Sequence, residues 1–143
     1  MDIPLDIRLS STLKSGVVYY FRDVREIASD KPHYYVVVNI NPMTDEFLVL
    51  AIATSKIHET KQRIKRLDIP QKTLIFISSL EYPRFTKKTV IDCNRVISKT
   101  KEQLIQKFTN ENDAEICSEF NATKNYRQNS CRDIGESSNS SKG

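Results

Sequence analysis

Long apolar runs are missing from this 143-residue chain. With them goes the ~20-residue hydrophobic helix needed to cross a bilayer, so a membrane protein built on such helices is excluded. Cysteine and histidine are also scarce. Cys93, Cys117 and Cys131 are odd in number and lack a C-x-x-C spacing, and only His33 and His58 add further soft ligands. Neither a disulfide scaffold nor a zinc module is expected, and no cofactor is implied. The opening residues, Met1-Asp-Ile-Pro-Leu-Asp-Ile-Arg8, carry acids where a signal peptide has lysines, and no apolar segment follows. A reducing cytoplasm is therefore the expected location. Hydrophobic residues make up only 38% of the chain and mean hydropathy is −0.48. Charge of one sign does not dominate either. The 22 bases against 18 acids give +4, compatible with a polyanionic partner but not demanding one.

The hydrophobic shortage is local. From Asn110 to Gly143 the only large aliphatics are Ile116 and Ile134, among many Asn, Ser, Glu and Lys. Such a segment cannot bury enough surface to offset its chain entropy. The expectation is one domain over 1–109 and a polar, disordered tail over 110–143, with room for a fraying helix between Asp113 and Phe120. Residues 1–109 carry 18 bases and 12 acids, a net +6, whereas the tail carries 4 and 6, a net −2. The basic character belongs to the folded part, and an acidic tail that competes for it is one reading of the split.

Within 1–109 the pattern is mainly β. Gly16-Val-Val-Tyr-Tyr-Phe21, Tyr34-Tyr-Val-Val-Val-Asn-Ile40 and Glu46-Phe-Leu-Val-Leu-Ala-Ile-Ala53 are β-branched and aromatic runs. Asn41-Pro-Met-Thr-Asp45 joins the last two as a hairpin loop. Leu74-Ile-Phe-Ile77 and Thr89-Val-Ile-Asp92 read as shorter strands. The long runs do not alternate cleanly, as expected of strands covered on both faces by a closed barrel or an oligomer partner. Thr100-Lys-Glu-Gln103 has capping-box spacing ahead of Leu104, Ile105 and Phe108, which predicts a helix over 101–109. Arg22 to Ala28 and His58 to Leu67 fit either helical turns or loops.

Four places carry side chains with chemical potential. Lys56 to Lys72 holds six bases, among them Arg63, Lys65 and Arg66, against two acids. It reads as a phosphate-tracking loop or as an ordinary solvated face. Asp30-Lys31-Pro32-His33 precedes a strong strand. There Lys31 offers a compact cation and His33 a proton shuttle near neutral pH, although Lys-Pro at a strand start is also plain turn chemistry. Thr54, Ser55 and Lys56 end the next strand, with hydroxyls suited either to a phosphate or to a local turn. Asp92-Cys93-Asn94-Arg95 interrupts the last strand, where Cys93 fits a buried structural role better than a nucleophilic one.

Taken in order, Gly16-Val-Val-Tyr-Tyr-Phe21, Lys31-Pro32-His33-Tyr34-Tyr35-Val36, Thr54-Ser55 and Ile91-Asp92-Cys93-Asn94-Arg95-Val96-Ile97 resemble the MazF/PemK family of toxin–antitoxin systems over roughly Ser15 to Phe108. The resemblance lies in motif order. It implies an SH3-like, MazF-like β-barrel with a C-terminal helix. It further implies a homodimer that binds single-stranded RNA in a groove, metal-independent cleavage by 2′-hydroxyl attack, and an antitoxin protein that occupies the same groove. By position, Lys31 stands where the family has arginine before the proline, and Thr54 where a threonine closes the central strand. Arg22 and Arg25 lie in the loop that shapes the groove. The family's Arg-Cys-Asp reads Asp92-Cys93-Asn94 here, so Asp92 and Asn94 are assigned an orienting role. The resulting expectation is a toxin-like endoribonuclease. Its catalytic residues are Lys31, His33 and Thr54, and RNA is held by Arg22, Arg25, Ser55, Lys56, Arg63, Lys65 and Arg66. A non-catalytic SH3-like module binding RNA or a protein is the alternative, and a structural dimer module a third.

Overall fold

The computed structural model describes residues 3–23 and 31–117. The expectations at Arg25, at Cys131 and for the chain beyond 117 lie outside the described residues. Six strands form one antiparallel sheet: β1 (Val18–Phe21), β2 (His33–Val37), β3 (Leu48–Thr54), β4 (Leu74–Ile77), β5 (Thr89–Lys99) and β6 (Glu115–Cys117). Their spatial order is β4-β5-β3-β2-β1-β6. Among the described residues the α-helices are α1 (Leu5–Thr12), α2 (Ile57–Arg66) and α3 (Lys101–Asn110).

The mainly β reading holds, and the closed barrel does not. β4 and β6 are the two ends of the strand order, and among the described residues no pairing joins them. The unbroken apolar runs have a different cause: both faces of an open sheet are covered from within the chain. Alternate residues along β1 and β2 divide between two cores. Val18 and Val36 face one, with Tyr20 and Tyr34 packed against it. Tyr19, Phe21, Tyr35 and Val37 face the other. Leu9 and Leu13 at α1 and Leu104 of α3 seal the second core, while Tyr82 and Phe85 of the β4–β5 loop seal the first. A third cluster, Ile64, Leu74 and Val90, seats α2 on the β4–β5 end.

Local chemistry explains the element ends. Gly16, at φ 92°, turns the chain into β1 and donates its N–H to the Val37 carbonyl at 2.8 Å, a backbone angle that costs glycine little. The Thr100–Gln103 capping box is formed as expected: the Thr100 hydroxyl accepts from Gln103 N at 3.1 Å, and Thr100 N donates to Gln103 Oε1 at 2.8 Å. The His58–Leu67 ambiguity resolves as a helix, because Thr60 and Ile64 lie on one buried face while Lys61, Lys65 and Arg66 stay exposed. The α1 helix had no counterpart in the sequence reading. Its polar surface gives weak periodicity, and Leu9 alone is buried within it.

Two further features differ from expectation. The suggested helix at 113–120 is, over its described part, the strand β6. There Cys117, Ile116 and Glu115 pair with Val18, Tyr19 and Tyr20, so the chain returns to the sheet after α3. The last strand is one long β5, broken by a bulge. Ile52 pairs with Asp92 but Ala51 with Val96, so Cys93, Asn94 and Arg95 are extra residues on one side of the ladder.

Candidate nucleic-acid interface

One row of paired residues crosses the sheet as Glu115, Tyr20, Tyr34, Ala53, Ile91 and Ile75. Two tyrosines followed by an alanine leave a hollow beside the rings. The β4–β5 loop forms the opposite wall, with the Phe85 ring 5.1 Å from Tyr34 at a near edge-on angle of 69° and 4.7 Å from Tyr82. Tyr20 and Tyr34 lie 4.6 Å apart. The result is a cleft of ≈ 360 Å³ with an aromatic floor.

The rim is cationic and hydroxylic. His33, Thr54, Ser55 and Lys56 line it from the ends of β2 and β3, and Arg84, Thr86 and Lys87 from the loop. His33 pairs with Phe21, in the row next to the tyrosines, so it meets the cleft at the sheet's margin and not on its floor. Burial pushes the His33 imidazole below its usual range. An interaction with the Lys31 backbone opposes that, and the positive charges of Arg95 and Lys56 reinforce it. Burial thus favours the neutral ring. The Thr54 hydroxyl accepts from Lys56 N at 3.2 Å, fixing the turn after β3.

The other expected residues are placed elsewhere. Lys31 is exposed and does not line the cleft, whereas its neighbour Pro32 does. Arg22 is ion-paired to Asp113 at 2.7 Å. Lys65 and Arg66 are exposed on α2, away from the cleft lining. Arg63 is paired with Asp92, whose side chain is fully buried. Asp92 Oδ1 also accepts from Asn94 N at 2.9 Å and Asn94 Nδ2 at 3.2 Å, and Asn94 Nδ2 donates to Thr73 Oγ1 at 2.7 Å. Asp92 and Asn94 thus fasten the bulge and α2 to the sheet. Arg95, on the bulge, adds positive charge beside both His33 and Arg63.

Among the described residues no thiol is activated. Burial raises the Cys117 pKa against the opposing pull of Arg84. Cys93 is buried and disulfide-bonded, a structural role and not a nucleophilic one. Among the described residues no group of three or more His, Cys, Asp or Glu is placed to hold a metal ion, and no helix is long and apolar enough to cross a membrane.

Arg84, Lys87 and the aromatic floor escaped the sequence reading. The signal was present in Tyr82-Pro-Arg-Phe-Thr-Lys-Lys88, where aromatic and basic residues interleave between two strands, a composition suited to stacking bases and neutralising phosphates. No protein-family model matches the chain, and a search of curated proteins finds no match either.

Proposed function

We propose that the protein binds single-stranded RNA in this cleft and cleaves it by attack of a 2′-hydroxyl on the adjacent phosphorus, as a toxin-like endoribonuclease of the MazF/PemK, SH3-like type. One observation carries the reading: a histidine, hydroxyls and three cations meet over an aromatic floor in a cleft of ≈ 360 Å³. His33 takes the 2′-hydroxyl proton. The 2′-oxygen bonds to phosphorus as the bond to the 5′-oxygen breaks, and the departing oxygen gains a proton from water or the Lys56 ammonium. Arg84 and Lys56 offset charge on the phosphoryl oxygens, with Thr54 and Ser55 placing the group. The chemistry leaves a 2′,3′-cyclic phosphate and a 5′-hydroxyl.

A homodimer and a protein antitoxin belong to the same proposal. Its support is the exposure of the large apolar side chains Ile40 and Phe47 in the β2–β3 hairpin loop and Val96 on β5.

The test is incubation with a long single-stranded RNA in EDTA. Fragments ending in cyclic phosphate from wild type, and none from His33→Ala, support cleavage. RNA bound but intact moves the reading to a non-catalytic RNA-binding module. That second reading has its own support, because Asp92 and Asn94 are already committed to structural bonds.

A further inference from the structure

Three acids follow one another at alternate positions as the chain leaves α3; Asp113 and Glu115 pair with basic side chains near the cleft, while the Glu111 carboxylate pairs with Lys107 at 3.5 Å. Glu111 Oε1 accepts from the Arg22 backbone N–H at 2.8 Å. Asp113 pairs with the Arg22 guanidinium at 2.7 Å. Glu115 pairs with Arg84, a cation of the cleft rim. Backbone pairing fixes the last contact, since Glu115 lies directly opposite Tyr20 on the cleft floor. Asp113 also acts electrostatically on the Tyr20 hydroxyl, as do Arg22 and Arg84.

We propose that residues 111–117 are an internal anionic strap. Its carboxylates hold Arg84 and Arg22 where RNA phosphates would otherwise bind, so that RNA must displace them in order to engage the cleft. This rests on the reading of the cleft as an RNA site. The chemistry favours exchange. A carboxylate and a phosphate diester each present two oxygens to a guanidinium fork. Both partners of the Arg84–Glu115 pair are about half exposed, the class of ion pair that is weak and readily replaced. A purely structural strap makes the opposite prediction, for removing its acids would loosen the cleft wall and weaken binding.

The experiment measures fluorescence anisotropy of a labelled single-stranded oligoribonucleotide with intact protein at low salt. The variants are Glu115→Gln, Asp113→Asn, Arg84→Ala, the Arg84→Ala/Glu115→Gln double variant, and Glu102→Gln as an acid of α3 outside these pairs. Circular dichroism confirms that each is folded. The strap predicts affinity gains of up to about fivefold for Glu115→Gln, a similar gain for Asp113→Asn, little for Glu102→Gln, and loss of the Glu115→Gln gain when Arg84 is absent. Wild-type binding with no gain, or with weaker binding in Glu115→Gln and Asp113→Asn, overturns the strap and leaves the cleft reading standing. A gain of equal size in Glu102→Gln, or one that persists without Arg84, also overturns it. No binding by any folded variant overturns the cleft reading, and the strap with it.

Discussion

Arg63 of α2 reaches the fully buried carboxylate of Asp92 and holds it against the sheet beside the β5 bulge. A basic residue that looks in the sequence like part of a phosphate-binding loop is thus an internal counter-ion. Replacing Arg63 by Met leaves Asp92 buried without its guanidinium, and such a loss costs ~3–5 kcal/mol. Urea unfolding should show the midpoint falling by that equivalent at unchanged slope, whereas Arg66→Met, on the exposed side of α2, should cost less than ~0.5 kcal/mol.

The Tyr19 hydroxyl makes the opposite prediction. Its ring is fully buried, and the hydroxyl oxygen has no hydrogen-bond partner among the described residues. Burial alone pushes its pKa upward. Tyr19→Phe removes an unsatisfied polar atom while keeping the ring contact with Phe108 at 5.4 Å, so stability should rise by about 1 kcal/mol. A fall in the melting temperature would show that the hydroxyl is satisfied after all.

His33 should govern part of the acid sensitivity. Its folded-state pKa lies below the ordinary value of 6.5. As pH drops through that value the unfolded chain takes up a proton that the folded chain refuses. Stability is therefore complete above pH 6.5 and declines as pH falls from there to the folded pKa. Proton NMR should find the His33 ring titrating below pH 6.5, and His33→Gln should flatten the stability profile in that interval.

The aromatic floor has a distinct signature. Tyr20→Ala should weaken binding of a single-stranded oligoribonucleotide by ~1–3 kcal/mol, the worth of a lost stacking contact, and Tyr20→Phe should retain most of it. Equal losses from both substitutions would point to the hydroxyl instead. Duplex RNA should bind less well to either protein, since its bases are not available to stack.

How much of this was legible in the sequence follows from the range of the interactions involved. The strand segments and the Thr100 cap are set by neighbours within a few positions, and their residues announce them. Sheet closure is not local: nothing in Leu74–Ile77 or Glu115–Cys117 says whether those strands meet, and the same apolar runs suit an open sheet with two covered faces. The site divides in the same way. His33, Thr54, Ser55 and Lys56 converge because β2 and β3 are hairpin partners, whereas Arg84 and Lys87 enter through a loop whose fold depends on Tyr82 and Phe85 finding the first core. Asp92 and Asn94 had been assigned an orienting role, and their bonds to Arg63 and Thr73 span 29 and 21 positions.

The outer edge of β4 has a consequence for behaviour in solution. Its residues Leu74, Ile75, Phe76 and Ile77 make an apolar strand that ends the sheet among the described residues, and sheet edges of that kind are where another chain can add. The Lys61 and Lys88 ammonium groups sit 5.0 and 5.8 Å from the centre of the Phe76 ring. Like-charged edges repel, so those lysines act as gatekeepers against fibrous or lateral growth. A long polyanion that saturates them screens that repulsion, and excess nucleic acid should then drive turbidity that added salt or nuclease reverses.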